Sequence, residues 1–324
     1  MEAITHGISI RGISAVVPDK TVENTCSIGK FSEKKVRMQL KMTGIKRRHI
    51  ASENQEAKDL CTYAAKRLLD KMNIDRTEIC AIIFVSQTPS FIIPSTAFWI
   101  HNQLELSKQC IAYDINLGCS GFVGGLHTIA SVMQSQETGK KGLLLNADTI
   151  SKYINSDDES TSMIFGDAGT ATLLERTEHN DLKCWHSVNS EKLENILVKT
   201  PNHKLEMDGM QVFSYTLEQV AGQIKNLLKE QNNYDYYLLH QAQKYIVDNI
   251  SSLCGLPQEK VLTSFEEYGN TSGASIPLTI CHNKECFTSS KNYSLLVSGF
   301  GAGLSCTSAS VIMKTPEIMD VTLL

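Results

Sequence analysis

A thiol, an imidazole and a carboxamide are enough to move an acyl group, and three residues of this chain offer them in suitable local settings. Cys119 stands in NLGCSGF, where an apolar run gives way to small residues that open a helix. A helix N-terminus presents unpaired N–H groups and a partial positive charge. Both favour a thiolate, and the thiolate is the nucleophile. Gly118, Gly121, Gly124 and Gly125 keep that helix thin, so a substrate or a second helix can come close. His240 closes the apolar run YYLLH; the C-terminal end of a strand is where α/β sheets present their sites. Asn270 lies in YGNTSGAS, a turn of small residues. Each also has an ordinary structural use, as a buried cysteine, a capping histidine or an asparagine in a left-handed turn. Together they define a chemistry. The thiolate takes an acyl group from a thioester, and the imidazole and amide donate hydrogen bonds to an oxyanion or enolate.

The elements around them alternate between strand and helix. ISIRGISAV (8–16) reads as a strand ended by Pro18. Leu60, Ala64, Leu68 and Met72 recur at helical spacing within 55–73. CAIIFVS (80–86) is a continuous apolar run, the pattern of a strand buried on both faces. Pro94 and Ser95 open a helix to about 104, a strand at 110–115 leads to Cys119, a helix runs from Ser120 to Met133, and GLLLNAD (142–148) is the next strand. The second half repeats this order: helix 216–229, strand 236–240, helix 242–253, then VLTSFEEYGNTSGASIPLTI, then strand 293–299. That long segment parallels CIAYDINLGCSGFVGGLHTI, with Ser272–Gly273 matching Ser120–Gly121 and Leu278 matching Leu126. In both, a strand is expected to enter a glycine-bearing turn, so the two halves are expected to face each other. The boundary falls near 173–185, giving halves of 1–175 and 176–324.

Composition narrows the function. Hydrophobic content of 42% and charged content of 20% suit a globular enzyme. A net charge of −4 without a basic block argues against nucleic acid. No apolar run approaches the ~20 residues of a membrane span, and no targeting signal is evident at the start, so the expected location is cytoplasmic. The ten cysteines are too scattered for a disulfide framework. CHNKEC, with Cys281, His282 and Cys286, matches no zinc pattern. No metal and no cofactor are expected.

NLGCSGF, LLHQAQ, YGNTSGAS, IFGDAGTA (164–171), SGFGAGLS (298–305) and TGIKRRHIA (43–51) occur in an order that resembles the β-ketoacyl-acyl-carrier-protein synthase III family of the thiolase superfamily. The resemblance covers essentially the whole chain. It implies a layered α-β-α-β-α fold of two pseudo-symmetric halves and a decarboxylative Claisen condensation. Cys119 would carry the acyl group of a primer thioester. His240 and Asn270 would stabilise the enolate formed from a malonyl-carrier thioester. The backbone N–H groups of Cys119 and Ala302 would form the oxyanion hole, and Phe300 would pack beside the site. The family also implies a homodimer, with Ile93 at a gate position reaching the partner's acyl pocket. Ile150 and Phe165 are further expected pocket residues.

Departures from the family pattern concern the carrier. Met38 replaces a tryptophan that stacks on the adenine of coenzyme A, and Met42 and Glu159 replace arginines. Tyr245 replaces an arginine used in carrier docking, with Lys244 adjacent. Lys244 and Arg47 are the candidate carrier or phosphate contacts, and Lys41, Lys46 and Arg48 offer further nearby charge. Acyl-carrier protein and coenzyme A both remain open as donor. Two other outcomes remain open too: acyl transfer from Cys119 to an oxygen or nitrogen nucleophile, and a non-catalytic partner in a heteromeric synthase. A papain-like protease is set aside, because the residues around Cys119 lack its local signature.

Overall fold

The computed structural model describes residues 1–179, 182–190, 196–198 and 203–324. In the first half the elements are β1 (Glu2–Thr5), β2 (Ile8–Val17), β3 (Thr21–Glu23), α1 (Glu33–Thr43), β4 (Arg47–His49), α2 (Ala57–Lys71), β5 (Ile79–Val85), α3 (Thr96–Gln103), β6 (Ile111–Ile115), α4 (Gly121–Met133), β7 (Lys141–Asp148) and β8 (Ala168–Arg176). In the second they are β9 (Leu182–Val188), β10 (Ile196–Leu197), β11 (Glu206–Met207), α5 (Gly209–Tyr215), α6 (Ala221–Glu230), β12 (Tyr236–Leu239), α7 (Lys244–Cys254), α8 (Phe265–Tyr268), α9 (Ser275–His282), β13 (Tyr293–Gly301), β14 (Ser305–Ile318) and β15 (Thr322–Leu323).

Strand order repeats between the halves. The first runs β6-β5-β7-β8-β2, with β5 parallel to β6 and β7, and β8 antiparallel to β7 and β2. The second runs β12-β13-β14-β9, with β13 parallel to β12, and β14 antiparallel to β13 and β9. The counterpart of β6 is reduced to a single parallel bridge between Tyr237 and Val261. The expected strand before Asn270 is therefore absent, and the short α8 takes its place. The cause is in the sequence: SFEEY pairs polar residues with a serine at the N-cap, a helical start rather than a buried strand.

The two sheets join where β14 lies parallel to β2, with Met313 opposite Ile10. Chain ends cross between halves: β1 pairs with β9 and β15 with β2. The helices then form three layers. α4 and α9 lie between the sheets, α2 and α3 cover the outer face of the first, and α6 and α7 cover the second. Each layer has its own apolar cluster. Phe122, Leu126, Ile129, Leu278 and Ile280 anchor the central one. Leu60, Leu68 and Phe84 anchor the second, and Ile224, Leu239 and Ile250 the third. This is the thiolase-like α-β-α-β-α arrangement.

Some boundaries shift. The helix expected at 216–229 is longer: α5 runs through a π-helical turn at Thr216–Val220 into α6. Asp208 caps its start by accepting hydrogen bonds from the Met210 and Gln211 N–H groups. The helix expected from 242 begins at Lys244. Residues 180 and 181, within the expected boundary region, lie outside the described residues.

Candidate active site

Cys119 immediately precedes Ser120, the N-cap of α4. The turn closes through a 2.7 Å hydrogen bond from the Gly121 N–H to the Gly118 carbonyl. The loop after β13 crosses directly above the thiol. Gly301 has φ of +158°, and a Cβ there would stand 2.7 Å from Cys119 Cβ and 3.0 Å from its Sγ. That approach requires glycine. The Ser120 and Ser305 hydroxyls meet at 2.8 Å, and Ser305 donates to the Ala302 carbonyl, so the crossing loop is tied to the helix start.

His240 follows β12, its N–H donating to the Ser298 carbonyl of β13. Its Nδ1 lies 2.7 Å from Ser275 Oγ, leaving Nε2 as the nitrogen available to substrate. The Phe300 ring packs edge-on, centroids 5.3 Å apart. Asn270 follows α8 rather than a strand. Its backbone is nevertheless held like one, because its N–H donates to the Ile164 carbonyl and its carbonyl accepts from the Gly166 N–H. Asn270 Oδ1 accepts from the Ser272 N–H at 2.9 Å, which leaves the amide NH₂ to face Cys119. The two related turns touch: a Cβ on Gly273 would stand 2.9 Å from the Gly118 carbonyl oxygen.

The electrostatics add the effect of burial. Burial pushes the Cys119 thiol up to about 12, and the Asp148 carboxylate adds to the rise. Hydrogen bonds from Ser272 and Asn270 oppose it without prevailing. Burial pushes His240 down to about 3. Burial thus favours a neutral thiol beside a neutral imidazole, against the thiolate that the helix end alone would favour. Behind Cys119, the Asp148 carboxyl is itself raised by burial. Its Oδ1 accepts from Ser86 Oγ, Gln87 N, Thr88 N and Thr88 Oγ1. Ser272 lies close enough to both Cys119 and Asp148 to pull each acid group down.

Cys119, His240 and Asn270 line one pocket, with a cavity of about 80 Å³. Ile150, Phe165, Phe300 and Ala302 line it too. Its walls also include Met207, Gly209, Val212, Ala242 and Ile246. The sequence offered no signal for Met207 and Val212, since 205–212 has no clear apolar period. Ser272 was legible only as a small turn residue. Ile93 does not enter its own chain's pocket; it is 88% exposed beside Ile92.

The candidate carrier contacts are already paired within the chain. Lys244 lies 2.5 Å from Asp248, and Arg47 binds Glu23 and Glu267 at 2.9 and 3.3 Å. Lys46 pairs with Glu266. Arg48 is buried and donates to Asn24 Oδ1 and the Phe165 carbonyl, a structural role. Glu159 binds Lys35 of α1 at 2.9 Å. Tyr245 stacks on Phe213. Among the described residues no group of three or more metal-ligating side chains gathers, and no helix is long and apolar enough to cross a membrane.

The comparisons with known proteins match this geometry. The model for 3-oxoacyl-[acyl-carrier-protein] synthase III matches residues 113–192, and its C-terminal counterpart matches 227–313. A β-ketoacyl-[acyl-carrier-protein] synthase III of Clostridium perfringens is 30% identical, over 93% of this chain and 97% of its own. That of Streptococcus uberis is 34% identical, over 84% and 88%. A crystal structure of a 3-oxoacyl-(acyl-carrier protein) synthase from Burkholderia xenovorans superposes with a TM-score of 0.94 at 35% identity, over 100% of this chain and 98% of that one. The matched regions hold Cys119 on one side and His240, Asn270 and Ala302 on the other, and the chain belongs to the 3-oxoacyl-[acyl-carrier-protein] synthase III family, an acyltransferase on the thiolase-like fold.

Proposed function

We propose that this enzyme performs a decarboxylative Claisen condensation between an acyl group on Cys119 and a malonyl-carrier thioester. One observation carries the reading: a thiol, an imidazole and an amide whose NH₂ end faces the thiol converge on one pocket. In the first step Cys119 Sγ attacks the primer thioester, and the thiol proton leaves with the carrier's sulfur. The Cys119 and Ala302 N–H groups receive the oxyanion. In the second, loss of carbon dioxide from the malonyl thioester leaves an enolate whose oxygen accepts hydrogen bonds from His240 Nε2 and the Asn270 amide. The enolate carbon attacks the acyl carbonyl. Collapse forms the ketoacyl thioester and expels the Cys119 sulfur, which takes up a proton. A neutral imidazole suits a donor to an enolate, as a protonated one would be costly in so buried a place.

The channel past Met207, Val212, Ala242 and Ile246 would take the carrier's pantetheine arm. Lys244 and Arg47 would contact the carrier only by exchanging their present acid partners. With Met42 and Glu159 where arginines are usual, and Glu159 bound to Lys35, an acyl-carrier protein is the better-supported donor. The chain divides at 175/176. It acts as a homodimer through the exposed edge formed by Ile92, Ile93, Phe98 and β6, an apolar patch beside the open outer edge of the sheet. We place it in the cytoplasm, consistent with ten free cysteines.

The test supplies an acyl donor and malonyl-carrier protein and follows ketoacyl product and carbon dioxide. Acylation of Cys119 without either product sinks the condensation reading. Acyl transfer to an added alcohol or amine would then replace it.

A further inference from the structure

Beyond Cys119 lies a second cavity of about 160 Å³, which shares Gln87, Ile150, Ile196, Leu205 and Ala302 with the first. Its walls differ in kind. Ile150, Val198 and Leu205 are apolar, but Gln87, Thr88, Asn116 and Tyr153 bring two amides and two hydroxyls. Thr88 Oγ1 is spent, donating to Asp148 and accepting from the Thr149 N–H. The side chains of Gln87, Asn116 and Tyr153 make no hydrogen bond to any described residue. The backbone places them, with Gln87 and Asn116 exposed and Tyr153 half-buried. The Gln87 N–H is anchored on Asp148, and its amide oxygen lies over Gly118, where a Cβ would come within 2.2 Å of it. The Tyr153 carbonyl accepts from the Leu205 N–H. Asn116 lies three residues before the nucleophile, at the end of β6.

We propose that the acyl group carried by Cys119 is short and bears a neutral oxygen substituent, a hydroxyl or keto group, bound by Asn116, Gln87 and Tyr153. The inference rests on the reading of Cys119 as acyl acceptor and adds the substrate class. Size follows from the cavity of the single chain: one of about 150 Å³ holds a benzene ring, so this compartment suits at most about six non-hydrogen atoms beyond the thioester carbonyl, and fewer in a dimer whose gate residue enters it. Polarity follows from the walls. Gln87 and Asn116 keep access to water, and a plain alkyl chain would strip that water without replacing its hydrogen bonds. A hydroxyl both donates and accepts, and a keto group accepts, so either meets an amide or phenol. Among the described residues no cationic side chain lines the cavity, so these walls favour a neutral substituent over a carboxylate.

The experiment follows intact protein mass during loading from N-acetylcysteamine thioesters of acetate, hexanoate and 3-, 4- and 5-hydroxyhexanoate. These donors bypass the carrier. The best hydroxyhexanoyl isomer is expected to load up to about tenfold faster than hexanoyl, the upper end of what one well-made hydrogen bond contributes. Asn116→Leu should abolish that preference, and Tyr153→Phe, which removes a single oxygen, should reduce it. Hexanoyl loading as fast as every hydroxylated isomer overturns the inference, as does a preference that both variants leave intact. Loading of acetyl and hexanoyl without preference leaves the acyl-acceptor reading standing. Failure of every thioester, acetyl included, defeats that reading and this inference with it.

Discussion

The two related turns of this molecule start from the same plan and end in different chemistry. In the first half, β6 leads through Asn116–Gly118 to Cys119 and α4, Gly121–Met133. In the second, the matching strand has shrunk to the Tyr237–Val261 bridge, α8 intervenes, and Asn270 is followed by a 3₁₀ turn and the shorter α9. The first turn places a nucleophile at a helix end. The second uses its backbone to hold a side chain: Asn270 is pinned at N–H, carbonyl and Oδ1. The lesson is one of division. The half that keeps a full strand delivers the reacting atom, and the half that loses it gains a loop free to orient a donor.

If that division is right, the largest effect belongs to the nucleophile. Cys119→Ala should leave protein mass unchanged with every acyl donor and lower turnover by more than about 10⁴-fold. Any acyl adduct on that variant places the nucleophile elsewhere. The donor side should behave differently. Asn270→Ala and His240→Ala should cut ketoacyl formation by about 10²–10³-fold, the usual cost of losing one oxyanion donor, while Cys119 still loads. Equal loss of loading and condensation in both variants would erase the distinction between the turns.

The protonation states sharpen the comparison next. With the thiol at about 12 and His240 at about 3, neither group titrates between pH 6 and 9. Acylation through the thiolate fraction should therefore rise about tenfold per pH unit across that range, with no bend near the ordinary histidine value of about 6.5. A bend there would mean His240 titrates as a base. The same depression has a stability consequence. Folded His240 stays neutral, whereas the unfolded histidine binds a proton below about 6.5. Stability contributed by burying the neutral ring is complete above that value. It falls as pH drops from about 6.5 toward 3, at up to about 1.4 kcal/mol per unit. His186, held down to about 4 mainly by burial, with the neighbouring His127 adding to it, acts in the same direction. Denaturant titrations at pH 7 and 5 read the sum.

How much of this was legible in the sequence depended on whether burial or pairing decided the element. CAIIFVS and GLLLNAD announced themselves because strands covered on both faces need apolar residues throughout. β14 did not: SCTSASVIMKTPEI is rich in hydroxyls, and its buried serines are satisfied by partners such as Ser298, 2.7 Å from Ser308. α1 has low apolar content and buries little beyond Val36 and Thr43, so no periodic stripe marked it. Residue types at the two turns gave the site its three principal side chains. They did not give the state of the thiol, because a helix end is visible in sequence and full desolvation is not. Asp148, which adds to the effect of burial, and Ser272, which opposes it, lie in different halves and become neighbours only on folding.

The smallest expected effect concerns the seam between the turns. Gly273 lies in the 3₁₀ turn after Asn270, fully buried, and a Cβ there meets the Gly118 carbonyl oxygen at 2.9 Å and Asn146 Nδ2 at 3.3 Å. The first obstacle is backbone of the other half, which cannot rotate away as a side chain can. Gly273→Ala should therefore push the turns apart and cost about 1–3 kcal/mol, the range for forcing one extra carbon into a packed interior. Gly222 supplies the contrast. It lies on the exposed side of α6, and a Cβ there meets nothing within 4 Å. Gly222→Ala should stabilise by about 0.5–1 kcal/mol, because alanine loses less backbone freedom in a helix. Measured side by side by denaturant unfolding, the two substitutions should differ in sign. If Gly273→Ala stabilises the protein as Gly222→Ala does, the turns are not in backbone contact, and the orientation of Asn270 must come from its own loop alone.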